Sequence, residues 1–205
     1  MTIREFTICL IDDDPSVLKA LDRLLRSAGY RVEAFACPVA FLNGYDPKQA
    51  GCLLLDLTMP GMSGMEVQQR LNEAGAHLPI VFLTGKGDIP TAVRALKDGA
   101  VDFLTKPVSD EALFAAIREA FAKNAANRLS RAELTLIQRR LASLTPRELE
   151  VLKHVVAGRL NKQIAGDLGT VEKTIKVHRA RVMQKMQAKS LVELVRLAER
   201  VGVVS

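Results

Sequence analysis

Two adjacent carboxylates, Asp12 and Asp13, directly follow the apolar run 7–11, and a third, Asp56, ends the apolar run 51–55. Thr84 follows the run 80–83, and Lys106 follows 101–105. Carboxylates brought together repel one another unless a cation neutralises them, and an all-oxygen site with few protein ligands is what Mg²⁺ accepts. A lysine ammonium beside such a cluster adds fixed positive charge, and a threonine hydroxyl can orient an anionic group. Asp56 and Lys106 also suit a plain ion pair at the edge of a sheet.

The elements that carry these residues decide whether they meet. Apolar segments of strand length recur at 6–11, 30–35, 51–57, 78–84 and 101–105. Stretches of helical period lie between them, at 15–28, 39–43, 63–74 and 89–98, with another from Ser109 onward. Strand–helix alternation implies right-handed crossovers and a parallel sheet covered on both faces. Five repeats fit a flavodoxin-like, doubly wound α/β fold of strand order 2-1-3-4-5, in which chemistry gathers at the carboxyl ends of the strands. The polar residues above all fall at those ends. Asp14 and Asp46 need only helix-start and turn roles. Lys106-Pro107 is a candidate cis peptide.

Charge divides the chain. Residues 1–125 carry 13 Lys/Arg against 16 Asp/Glu, whereas residues 126–205 carry 16 against 7. A basic C-terminal third suits a polyanion, most often nucleic acid, or else a solvated basic face. Apolar runs stay well short of the ~18 residues that span a membrane, and the first residues carry no signal-peptide core. Cys9, Cys37 and Cys52 have no metal-ligand spacing and read as reduced thiols of a cytoplasmic protein.

Residues 123–140 contain neither Pro nor Gly, so the helix from Ser109 can run on as a linker. Its Leu129, Leu134, Leu136, Ile137 and Leu141 are placed to pack on either domain or on a partner chain. Thr145-Pro146-Arg147-Glu148 then forms a capping box with Pro at the first helical position. Helices are predicted from there to Gly158, over 162–168, over 172–186 and over 191–200. Two of them joined by a tight turn at Gly169, the second strongly basic, describe a helix-turn-helix. The expected domains are 1–123, a helical linker 124–141, and an all-α four-helix domain 142–205.

Asp12-Asp13, Asp56 before Met59-Pro60-Gly61-Met62-Ser63-Gly64, Thr84-Gly85 and Lys106-Pro107 resemble, in order and spacing, the receiver domain of bacterial two-component response regulators. Leu144-Thr145-Pro146-Arg147-Glu148, Asn161-Lys162-Gln163-Ile164-Ala165 and the stretch from Glu172 to Arg179 resemble the LuxR-type DNA-binding domain. The pair together resembles the NarL/FixJ family, on its FixJ branch. The resemblance implies a transcriptional regulator and not an enzyme, with Asp56 taking a phosphoryl group from a sensor histidine kinase. It implies Mg²⁺ on Asp13, Asp56 and the Thr58 backbone carbonyl, with Asp12 acting partly through water. Lys106 and Thr84 would hold phosphoryl oxygens. Thr84 and Phe103 would form the switch, leading to a homodimer on promoter DNA, with RNA polymerase as a further partner. Thr58 and Lys86 lie where the lifetime of the acyl phosphate is tuned.

Phosphoryl transfer asks a protein mainly to position an in-line oxygen nucleophile and to neutralise charge, which these residue types do. A dehalogenase-type aspartyl-phosphate phosphatase wants a second Asp two residues after the nucleophile, where Thr58 stands. A ligand-sensing LuxR-type regulator would show an apolar pocket in the front domain. On helix 172–186, Ile175, Val182 and Met186 have core spacing, while Lys173, Lys176, Val177 and Ala180 share the opposite face. Lys176 and Val177 are expected at base edges, and Lys173, Thr174, Arg179, Arg181 and Lys185 at phosphates. His178 fits either a phosphate or its own backbone. Because Val171 stands where many relatives have a capping Ser, either Thr170 caps this helix or its start shifts. Val192, Leu194 and Val195 suit a pairing of two DNA-binding domains or a plain core.

Overall fold

Alternation along each strand builds two cores, one on each face of a five-stranded sheet. The computed structural model describes residues 6–47, 49–85 and 88–203, and Lys86 lies outside them. The chain divides into two compact units, Met1–Arg128 and Leu129–Ser205. In the first, β1 (Thr7–Ile11), β2 (Arg31–Phe35), β3 (Gly51–Asp56), β4 (Ile80–Thr84) and β5 (Asp102–Thr105) pair in parallel in the order β2-β1-β3-β4-β5. The helices are α1 (Pro15–Ser27), α2 (Pro38–Gly44), α3 (Gly64–Glu73), α4 (Ile89–Lys97) and α5 (Asp110–Ala142).

Ile8, Leu10, Cys52, Leu54, Val81 and Leu83 face Leu21 and Leu25 of α1 and Leu113, Ile117 and Ala120 of α5. Their strand neighbours Cys9, Ile11, Leu53, Leu55, Ile80 and Phe82 face Phe41 of α2, Val67 and Leu71 of α3, and Ala95 of α4. A sheet covered on both faces needs apolar residues at successive positions, which is why β1, β3 and β4 are unbroken apolar runs. Each fully buried Leu contributes about 1.5–3 kcal/mol, so these strands can carry an acidic edge. Burial, reinforced by the charge of Glu33, pushes the Cys9 thiol up to about 12, and burial raises Cys52 further. Both thiols therefore stay protonated and act as small apolar groups.

Helix starts follow local chemistry. The Asp14 side chain accepts from the Ser16 N–H ahead of α1, and Asp88 accepts from Thr91 ahead of α4. Ser63 and Glu66 form a capping box on α3. The Lys106-Pro107 peptide is cis.

The second unit holds the last part of α5 with α6 (Pro146–Val156), α7 (Asn161–Asp167), α8 (Glu172–Met186) and α9 (Leu191–Arg200). Ile137, Val151, Leu152, Val155, Ile164, Ile175, Val182, Met186 and Leu194 form its core. Of the linker apolar residues, Ile137 is buried and Leu141 packs on this core, whereas Leu129 and Leu136 are exposed. Thr145 and Glu148 form the expected capping box on α6. Gly169, at φ +61°, makes the turn between α7 and α8, where an L side chain would be strained.

One expectation fails in both of its forms. Neither does Thr170 cap α8 nor does its start shift: Val171 itself occupies the N-cap position and makes no side-chain capping bond. The extended backbone that a cap requires is open to Val, but the side-chain acceptor is not.

Candidate functional site

Parallel pairing places the carboxyl ends of β1, β3, β4 and β5 on one edge, and the polar residues converge there. Oxygens of Asp12, Asp13 and Asp56 all lie within 4.8 Å of one another. Asp12 is fully buried and Asp56 nearly so, while Asp13 is exposed. The Lys106 ammonium donates to Asp12 Oδ2 at 2.5 Å and to Asp56 Oδ2 at 2.9 Å. Burial pulls this lysine's pKa down, yet its hydrogen bonds to Asp12 and Asp56, with their charges, outweigh burial and hold it above the ordinary lysine value. Lys106 stays charged. Three carboxylates around one ammonium leave two negative charges, and hard oxygen donors of that balance fit a divalent cation.

The backbone positions the rest. Thr58 N–H donates to Asp56 Oδ1 at 3.3 Å, and Asp14 N–H donates to Asp12 Oδ1 at 3.0 Å. Thr84 is fully buried at the end of β4, and its carbonyl accepts from Lys106 N–H at 2.7 Å. Phe103 on β5 is half-buried, its ring centroid 6.0 Å from that of Phe82. Gly64 opens α3 hard against the backbone of Asp56. A Cβ there would lie 2.4 Å from the Asp56 carbonyl oxygen, so only glycine allows this approach. The turn-like Met-Pro-Gly-Met-Ser-Gly stretch hid that role.

In the second unit, Lys173, Lys176, Val177, Ala180 and Arg181 of α8 are exposed, and Thr174, His178, Arg179 and Lys185 are half-buried. Lys176 pairs with Glu172 at 3.1 Å. An Arg179 nitrogen donates to Asn161 Oδ1 at 3.1 Å. His178 Nδ1 is buried and has no hydrogen-bond partner among the described residues. Lys185 differs from its neighbours. Its ammonium donates to Glu148 Oε2 at 2.6 Å and to the Ser143 carbonyl at 3.0 Å, so it is engaged in the fold and not presented with the exposed lysines. On α9, Leu194 is in the core and Val192 is exposed.

The description "Response regulator receiver domain" matches residues 8–118, and "Bacterial regulatory proteins, luxR family" matches residues 142–198. The chain belongs to the response regulators. It is a two-component response regulator and transcription factor, not an enzyme, with an acidic phosphorylation pocket in its receiver. A receiver implies a kinase partner, and the LuxR-type domain implies DNA binding.

This response regulator is 46% identical over 200 residues to the response regulator protein TodT of Pseudomonas putida, covering 98% of this chain and 88% of that one. It is 44% identical over 194 residues to the transcriptional regulatory protein FixJ of Azorhizobium caulinodans, covering 95% and 92%. Among solved structures, the response regulator StyR aligns at a TM-score of 0.81 with 47% identity, over 96% of this chain and 99% of StyR. Among the described residues no helix is long and apolar enough to cross a membrane.

Proposed function

We propose that Asp56 is the phosphoacceptor of a cytoplasmic regulator and that its phosphorylation by a sensor histidine kinase controls dimerisation and promoter binding. An Asp56 carboxylate oxygen attacks the phosphorus of the kinase's phosphohistidine. A phosphorus–oxygen bond forms, the phosphorus–nitrogen bond breaks, and the imidazole leaves with its electron pair. Asp13, Asp56 and the Thr58 carbonyl would hold Mg²⁺, with Asp12 contributing partly through water. When bound, the ion offsets the carboxylate charge and draws charge from the phosphoryl oxygens. The Lys106 ammonium takes one phosphoryl oxygen and the Thr84 hydroxyl another.

The observation that carries this reading is Lys106 held between Asp12 and Asp56 at 2.5 and 2.9 Å, beside the exposed Asp13. A buried carboxylate next to a fixed cation, with one face of the cluster open, is prepared for an incoming anionic group. An open apolar groove of about 480 Å³ borders Lys106 and is lined by Val17, Ala20, Leu21, Leu83, Pro107 and Val108. Its open shape suits the surface of a protein phosphodonor better than an enclosed small ligand.

Movement of Thr84 toward the phosphoryl group draws Phe103 inward by packing alone, because Phe103 has no hydroxyl. Ile89, Val93 and Leu96 leave an exposed apolar stripe on α4 that supports dimerisation on that face. Lys176 and Val177 then read base edges in a major groove, and Lys173, Thr174, Arg179 and Arg181 meet phosphates, with RNA polymerase as the next partner. Incubation with labelled acetyl phosphate tests the phosphoacceptor. One mole of acid-stable, base-labile label per mole of chain, dependent on Mg²⁺ and lost in Asp56→Asn, is expected. Equal labelling of Asp56→Asn overturns the assignment.

A further inference from the structure

The C-terminal end of α8 is fastened from outside its own helix. Gln187 caps α8 in the left-handed conformation, at φ 54° and ψ 35°. Glycine or asparagine normally stands there, because other L residues are strained in that region. What the glutamine offers in return is an acceptor. Its Oε1 takes a hydrogen bond from an Arg140 terminal nitrogen at 2.5 Å, and the other terminal nitrogen reaches the Met186 carbonyl at 3.4 Å.

Arg140 itself is fixed by what surrounds it. It sits in the last turn of α5, between Ile137, which is buried in the same core as Met186, and Leu141, which packs on that core. The Ser143 hydroxyl donates to the Arg140 carbonyl at 2.6 Å, and Lys185 donates to the Ser143 carbonyl. A planar guanidinium spanning two acceptors fixes both distance and angle, which a single ammonium does not.

We propose that Arg140 is a positioning residue for DNA recognition. From the end of α5 it holds the last turn of α8 through Gln187 and Met186, and so sets the angle at which the exposed face of Lys173, Lys176, Val177 and Ala180 enters a groove. This rests on the reading of α8 as the base-reading helix. Met186 in the core and Lys185 on Glu148 already hold the C-terminal end of α8 in place, so what the Arg140 guanidinium adds is orientation. A small tilt about those contacts moves side chains off base edges while leaving phosphate contacts serviceable. Loss of the anchor therefore reduces discrimination more than affinity for DNA in general. It also makes the last turn of α5 part of the DNA reader and not only a tether.

The test uses the full chain with acetyl phosphate present and a duplex selected by the wild-type protein from a random pool, with a shuffled duplex as the non-specific probe. Arg140→Ala and Gln187→Gly are each expected to cut the ratio of selected to shuffled affinity about tenfold, with shuffled binding changed less than about twofold. Gln187→Gly removes the acceptor while giving the left-handed cap its preferred residue, so its melting temperature should not fall. The double variant should be no worse than either single one, because both remove the same contact. Lys176→Ala serves as the control on α8. If Lys176→Ala loses discrimination while Arg140→Ala and Gln187→Gly keep the wild-type ratio, the positioning role is overturned. If Lys176→Ala keeps the ratio as well, the reading of α8 falls and the proposal with it.

Discussion

Lys185 Nζ donates to Glu148 Oε2 at 2.6 Å, tying the far end of α8 to the first turn of α6. Glu148 is almost fully buried, and its carboxyl is held down at about 2, chiefly by the Lys185 hydrogen bond and then by the Thr145 N–H. A carboxyl whose folded pKa lies below its unfolded value of 4.5 contributes stability in full above that value. That contribution is lost as pH falls from 4.5 toward 2. The second unit should therefore lose melting temperature across this window more steeply than the same unit in Glu148→Gln. Lys185→Ala should cost about 2 kcal/mol at pH 7, less than the loss from a fully buried pair because Lys185 is one-third exposed. Both tyrosines, Tyr30 and Tyr45, lie in the first unit. A helical transition seen at 222 nm but silent in tyrosine fluorescence reports the second unit.

The acidic cluster predicts a metal response confined to the first unit. Mg²⁺ at ten times its dissociation constant should stabilise the tyrosine-reported transition by about 1.4 kcal/mol. Asp13→Asn should lose most of that gain. Lys106→Ala should lower stability by about 3 kcal/mol in metal-free buffer, because Asp12 and Asp56 stay buried without their counter-ion, and Mg²⁺ should restore more of it than the wild type gains. Equal stabilisation of wild type and Asp13→Asn would remove Asp13 from the site.

Gly64→Ala tests the close approach of α3 to Asp56. A Cβ 2.4 Å from the Asp56 carbonyl must displace the helix start or the end of β3. The expected cost is about 2 kcal/mol by urea unfolding, together with slower labelling by acetyl phosphate. Wild-type stability and labelling rate would show that the approach is not required.

Val171→Ser should raise the melting temperature of the second unit, with a gain of about 1 kcal/mol, by supplying the missing cap on α8. An unchanged value would mean that the N–H groups of the first turn are already satisfied. The same residue marks a limit of sequence reading. The strand–helix alternation, the acidic edge and the buried stripe of α8 follow from period and from polar residues at strand ends, so they could be seen in the chain alone. The strand order β2-β1-β3-β4-β5, by contrast, is set by pairing that no single sequence displays. The engagement of Lys185 could not, because a lysine in a basic helix looks the same whether it meets a phosphate or a buried glutamate 37 residues away. Arg140 was equally hidden, as one charge in a linker of charges, since its role depends on Gln187 adopting a left-handed turn. Long-range polar pairing leaves no periodicity behind it.

The most direct measurement is the affinity of the full chain for its selected duplex, with and without acetyl phosphate and Mg²⁺, for wild type and Asp56→Asn. Tighter binding of the wild-type protein with the phosphodonor, and no change in Asp56→Asn, is the expected result. Stimulation of equal size in Asp56→Asn, or none in a wild-type protein shown to be labelled, would contradict control of DNA binding through Asp56.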